Sequence, residues 1–375
     1  MAEPAGRTLG DEEVAALERV IRSGMLSSVW GTETRALERE IGEMYGSRHA
    51  IACSSGTAAL HLSVVAAAPD PGDEIITTPI TDFGTVAPIL AQNAVPVFAD
   101  VDPATGILDP DAVAALIGPR TKAIMAVHLF GAPAPAAELR ALADGHGLTL
   151  IEDCAQAWLT DLPGGRFAGT AGHVGTLSLQ QWKHITCGDG GLTLTDDDEL
   201  ARRMRLFADK GWDRSVGRVH ESLGLNYRMT ELQAAVARAQ LAKLPGVVEA
   251  RRRTAVRLVG LLRGLDGLTL PATEGHAWWL FPLVLPGGGA SALAEKLRAA
   301  GIPARAGYLN QPLNQAPALA APVYGTSHYP LEGYRPQACP EAERLVSDTL
   351  LVIDWNEHYT DEHVDAVAAA LLRSL

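Results

Sequence analysis

Hydrophobic and polar positions along the chain fall into two alternating rhythms, and together they predict an α/β protein. After the acidic triplet Asp11-Glu12-Glu13, apolar residues at Val14, Leu17, Val20 and Ile21 recur at helical spacing, so the chain opens with a helix. From about residue 50, short β-rich runs such as AIACSS, DEIITTP, VPVFADV, KAIMAVHLF and LTLIED alternate with helical stretches such as TAALHLSVVAAA and APAAELRALADGHG. That alternation predicts βαβ units and a mostly parallel central sheet. Several of these strands end in polar or glycine-rich segments: SSGT, TTPITDF, DVDP, HLFG and EDCAQ. Open α/β sheets bind ligands at such strand ends.

The rhythm changes near residue 246, where RRRTAVRLVGLLRGL, the Trp-rich strand AWWLFPLVL, SALAEKLRAAGIP and a final helix DEHVDAVAAALLRSL follow one another. The reading is therefore an N-terminal helix and large domain over 1–245, then a smaller C-terminal α+β domain over 246–375. Within the latter, residues 303–340 are rich in Pro, Tyr and Asn with little periodicity, which predicts a long ordered loop near a substrate. No internal repeat or low-complexity tract interrupts the pattern.

Composition narrows the function. The chain has 375 residues, 47% hydrophobic and 20% charged, the profile of an ordinary globular protein. Its amino terminus lacks a basic segment followed by an apolar one, and no run approaches the roughly eighteen apolar residues of a membrane span, so a cytoplasmic protein is expected. Four cysteines, Cys53, Cys154, Cys187 and Cys339, are widely spaced, which predicts reduced packing residues; no metal site is expected. A net charge of −13 argues against a nucleic-acid partner. The basic run Arg251-Arg252-Arg253 lies in a helical pattern and reads as a solvated or dimer-facing surface.

Three segments carry chemistry. In Ser54-Ser55-Gly56-Thr57 a strand meets a helix through small residues whose backbone amides can face a phosphate, although the same turn serves equally as a helix cap. LTLIEDCAQA delivers Glu152 and Asp153 to a strand end, followed by Gln156; a carboxylate there can pair with a protonated heteroaromatic nitrogen or cap the next helix. GTLSLQQWKHITCGDGG places Ser178 and Lys183 five residues apart before a glycine-rich turn. A lysine between Trp182 and His184 is a candidate for a lowered pKa and Schiff-base chemistry, because burial disfavours its charge. A phosphorylated aldehyde cofactor needs a phosphate cradle, a carboxylate for its ring nitrogen, an aromatic cover and a lysine, and all four types stand at loop ends.

The ordered set SSGTAALHLS, TTPITDFGT, PVFADVDP, VHLFG, IEDCAQA, SLQQWKHITCGDGG and LNYRMTELQAAVARAQLAKL strongly resembles the DegT/DnrJ/EryC1/StrS family of sugar and cyclitol aminotransferases. The resemblance implies the fold type I (aspartate aminotransferase-like) of pyridoxal 5'-phosphate-dependent transferases, and a homodimer with shared active sites. It implies that Lys183 carries pyridoxal phosphate as a Schiff base and that Asp153 pairs with the ring nitrogen. It further implies that Gln156 contacts the ring hydroxyl, Phe83 stacks on the ring, and Ser55, Gly56, Thr57 and Ser178 hold the phosphate. Asn226 of N-Y-R-M would reach the other subunit's phosphate. Trp158, Trp182, His128 and Tyr308 are the candidate substrate residues.

Trp158 stands where nucleotide-sugar members often carry a histidine, and QQWKHIT replaces a Y-P-T-K-N-like run. These departures, with VIDWNEHYT, resemble members that aminate cyclitol ketones in aminoglycoside-type biosynthesis. The implied reaction moves an amino group from glutamine or glutamate to a ketone, with pyridoxamine phosphate as the intermediate cofactor form. A nucleotide-linked keto-sugar is the alternative acceptor, and a non-catalytic cofactor-binding regulator the alternative class.

Overall fold

The computed structural model describes residues 8–375. Residues 1–7, where the reading of the amino terminus began, lie outside the described residues. Helices α1 (Asp11–Ser23) and α2 (Glu33–Tyr45) precede strand β1 (His49–Cys53) and helix α3 (Gly56–Ala67). Then come β2 (Glu74–Thr77), α4 (Ala87–Ala91), β3 (Val95–Phe98), α5 (Pro110–Ala114), β4 (Thr121–Val127), α6 (Ala136–His146) and β5 (Thr149–Asp153). A short hairpin, β6 (Asp161–Leu162) and β7 (Arg166–Phe167), leads to β8 (Val174–Ser178), β9 (Gly191–Thr195) and α7 (Asp198–Ala208). The long helix α8 (Glu231–Leu262) is followed by β10 (Leu280–Val284), α9 (Ala290–Ala299), β11 (Ala304–Ala306), α10 (Pro340–Arg344), β12 (Leu350–Asp354) and α11 (Asp361–Ser374).

The large sheet has seven strands in the order β1-β9-β8-β5-β4-β2-β3. Pairs β2–β3, β2–β4, β4–β5 and β5–β8 are parallel, while β9 runs against both β8 and β1. The alternating pattern predicted the parallel part. The reversed β9 follows from the connection between β8 and β9, residues 179–190, which folds into turns and forms none of the crossover helix that a parallel connection normally uses. That connection carries Lys183. The strands are buried along nearly their whole length, as a sheet covered on both faces requires.

The smaller sheet, in the order β10-β12-β11, is antiparallel. Leu258, Phe281, Leu297, Ile353 and Leu371 pack it against α8, α9 and α11. Its other side shares a core with the large sheet, since Leu280, Val284 and Val352 cluster with Ile76, Phe98 and Ile124. The division read at 245/246 falls inside α8, so no linker separates the two sheets. Pro245 normally breaks a helix at a cost of about 3 kcal/mol. Here Leu241, Leu244, Val247 and Val248 are all buried around it, and that packing carries the helix through.

Helix α1 forms as its spacing predicts, but its buried face is Glu13, Ala16 and Val20, while Val14 and Ile21 stay exposed. Glu13 is drawn in by Lys243 and Gln240 of α8. Among the described residues, no helix is long and apolar enough to cross a membrane.

Candidate active site

The carboxyl ends of β5 and β8, the amino end of α3 and the turn before β9 converge on one cavity of about 620 Å³, within the usual range for ligand sites. Ser55 is extended and accepts from Ala58 N at 3.0 Å, so it caps α3 as its residue type predicts. The first-turn amides of Gly56 and Thr57 lack intrahelical partners by helix geometry and open onto the cavity with Ser178. Gly56 is required by contact: a Cβ there would lie 2.8 Å from Cβ and Oγ of Ser178. A small anion fits this end.

Asp153 closes β5 and is fully enclosed. Its Oδ2 accepts from Thr85 Oγ1 at 2.9 Å and its Oδ1 from Ala155 N at 3.0 Å. Burial pushes its carboxyl above the ordinary range despite these donors and the Lys183 charge. A cationic group beside it would favour its charged form against that burial. Lys183 lies on the same wall, and burial pushes its amine down, opposed by Asp153 and Asp82. An amine so placed is a better nucleophile at neutral pH than a surface lysine. Gln156 accepts from Phe130 N at 2.7 Å and donates to Tyr308 Oη at 3.1 Å, which fixes it on the cavity floor. Tyr308 and Trp182 are both on the wall.

Other predicted residues are placed elsewhere. Phe83 is half-buried against the main core, and it is its neighbours Asp82 and Gly84 that line the cavity. Asp82 caps the turn Phe83–Thr85 by accepting from Gly84 N at 2.7 Å. Trp158 is fully buried, donating to Ser178 O at 2.8 Å, so it braces the end of β8 and is absent from the cavity lining. His128 is also enclosed: its Nδ1 accepts from Ala134 N at 3.0 Å, so its Nε2 donates to Glu152 Oε2 at 2.9 Å. Glu152 faces away from Asp153 because strand side chains alternate. Asn226 is exposed, bridged to Asp209 and away from this chain's cavity.

Several wall residues had no sequence assignment: Asp82, Thr85, Trp279, Arg251 and Arg305. Arg251, read as surface, is 1% exposed. Its guanidinium pairs with Glu357 at 2.7 Å and donates to the carbonyls of Trp278, Trp279 and Trp355. The signal was present, since Val248, Arg251, Ala255 and Leu258 share one face of α8. Its partner lies 106 residues later, beyond local patterning.

Residues 7–372 match the DegT/DnrJ/EryC1/StrS aminotransferase family. The chain belongs to that family. The aminotransferase is 36% identical over 386 residues to the L-glutamine:2-deoxy-scyllo-inosose aminotransferase of Streptomyces kanamyceticus, covering 96% of this chain and 88% of the relative. Its fold superposes on the aminotransferase of Psychrobacter cryohalolentis with a TM-score of 0.88 at 30% identity, covering 98% and 97% of the two chains. DesI, solved with its TDP-sugar product, gives a TM-score of 0.85 at 30% identity, with 99% and 91% covered. The fold type I assignment therefore stands, and the cavity at the carboxyl edge of the sheet belongs to an enzyme.

Proposed function

We propose that this aminotransferase uses pyridoxal phosphate and moves the amino group of glutamine or glutamate to the ketone of a cyclitol. The observation that carries the cofactor reading is the meeting of Asp153, Lys183, Ser178 and the α3 amino end in one cavity. When bound, the cofactor supplies an aldehyde and an electron-withdrawing ring that stabilises negative charge on the carbon gaining or losing the amine. Gly56, Thr57, Ser55 and Ser178 hold the phosphate, Asp153 keeps the ring nitrogen cationic, and Gln156 faces the ring hydroxyl. Asn226 of a partner subunit completes the phosphate site in a homodimer. Lys183 would hold the cofactor's aldehyde through its Nζ, and the same Nζ, when free, would serve as the acid and base at the substrate carbon.

The neutral acceptor is supported by the pairing of the cavity's other cations as well as by the 36% identical relative. Arg251 is tied to Glu357, and Arg305 to Asp354 at 2.5 Å. Asp82 and Asp189 add negative charge to the wall. Unpaired cations strengthen the hold on a diphosphate through charge-assisted hydrogen bonds, and this lining, with its cations paired, favours a polyhydroxylated ring without one. Trp182 and Tyr308 offer it apolar faces. The second reading, a nucleotide-linked keto-sugar, is favoured by the likeness to DesI. Purified enzyme given glutamine and either a scyllo-inosose-type ketone or a keto-sugar nucleotide separates them. Amination of the cyclitol ketone alone is the expected result; amination of the nucleotide sugar alone would sink the cyclitol reading.

A further inference from the structure

Trp279 stands at a constrained stretch of backbone. The preceding residue, Trp278, has φ +55°, and facing it Phe130 has φ +59°. Bulky residues rarely take this left-handed conformation, and it concentrates at functional sites. The two stretches are stitched together, with Trp279 N donating to Phe130 O and Ala277 N to Gly131 O, both at 2.8 Å. A Cβ on Gly131 would lie 2.8 Å from Trp278 N, so glycine is needed for this approach. The turn aims the Trp279 indole into the cavity. There its Nε1 donates to Trp182 O at 2.7 Å, anchoring the ring on the residue next to Lys183. Lys183 Nζ lies over that ring, 4.4 Å from its centroid. Tyr308 packs edge-on against the indole at 6.0 Å and 85°.

We propose that Trp279 is a positioning residue for Lys183, its ring face holding the lysine's ammonium whenever the lysine is not joined to the cofactor. This rests on the cofactor role of Lys183 given above. The lysine stem is flexible and must find the same reacting carbon each turnover. A ring face attracts an ammonium more strongly when water is excluded. Asp153 and Asp82 act on the same amine, and Asp189, Asp354, Arg251, Arg305 and Tyr308 are the other ionisable groups on the cavity wall. The carboxylates are common to every variant below, so differences among variants report the ring.

Trp279→Phe keeps a ring face and loses the Nε1 hydrogen bond; Trp279→Leu loses both. In the cofactor-free protein, pulse acylation across pH followed by peptide mass spectrometry gives the titration midpoint of Lys183. Trp279→Leu is expected to lower that midpoint by about one pH unit, the size of a desolvated cation–π contact, and Trp279→Phe to leave it nearly unchanged. In the loaded enzyme Trp279→Leu is expected to lower kcat about tenfold with KM for donor and acceptor held within about twofold, the pattern of lost transition-state positioning. Phe should restore most of it. A fluorinated phenylalanine series at 279 keeps size and fold while weakening the ring face, and should lower the midpoint stepwise. An unchanged midpoint in Trp279→Leu and across the fluorinated series, or Phe as impaired as Leu, overturns the proposal. Failure of the wild-type protein to take up cofactor overturns the cofactor reading instead, and the acylation midpoints still report on the ring.

Discussion

Replacing Gly56 with alanine puts a methyl carbon 2.8 Å from both Cβ and Oγ of Ser178. Carbon atoms pack at about 3.5–4.0 Å, so the substitution demands a displacement of roughly 0.7 Å or more. Neither side yields easily, because Ser178 ends a central strand and Gly56 begins a helix buried along most of its length. Overpacking of this kind costs about 1–3 kcal/mol. The strain falls between the two groups assigned to the phosphate, so it should appear mainly as lost cofactor affinity, about 5- to 150-fold in Kd. Titrating cofactor-free protein with pyridoxal phosphate, followed by absorbance, measures it. Gly246→Ala is the control: it lies inside α8 and its new methyl would meet nothing within 4 Å. That change should leave Kd untouched and stabilise the fold by about 0.5–1 kcal/mol. Wild-type cofactor affinity in Gly56→Ala would refute the phosphate assignment of this end of the cavity.

Three further outcomes follow from the same geometry. Arg251→Met leaves Glu357 buried without its cation and should lower unfolding free energy by about 3–5 kcal/mol in denaturant titration, with an Arg251→Met/Glu357→Leu double variant recovering most of it; equal loss in both would show that the ion pair is not the cause. Burial raises the Asp153 carboxyl above 3.8, its ordinary value, so its charge opposes folding of the cofactor-free protein once pH exceeds that value. Asp153→Asn should therefore raise the cofactor-free melting temperature at pH 7 and lose that advantage near pH 4, while weakening cofactor binding; a pH-independent gain would contradict the burial argument. Asp82→Asn keeps the acceptor for Gly84 N but removes a wall charge, and should raise the ratio of kcat/KM for phosphate-bearing over neutral acceptors by about tenfold; an unchanged ratio would remove Asp82 from acceptor selection.

Much of this site was legible in the sequence because strand ends and helix starts have local signatures. Ser55 caps α3, Asp153 ends β5 and Ser178 ends β8, and parallel packing brings those ends together without further information. Side-chain direction was not legible. Along β5 the pleat alone decides that Asp153 faces the cavity while Glu152 joins His128 on the other side. Between Asp82 and Phe83 a single residue of turn geometry decides which reaches the wall. Long-range partners were invisible for a different reason: Arg251 is buried only because Glu357 and three carbonyls meet it there. Trp158 carried weight as a substrate residue in the sequence, but the structure buries it, with its indole donating to the Ser178 carbonyl.

The central claim is that Lys183 carries the cofactor. Purified protein loaded with pyridoxal phosphate, reduced with borohydride and digested, should yield one phosphopyridoxyl-modified peptide, with the mass on Lys183, and the visible absorbance should vanish on reduction. Lys183→Ala should show neither the lysine-bound absorbance nor the modified peptide, and no transamination. A label on another lysine, or wild-type absorbance and turnover in Lys183→Ala, would contradict the account.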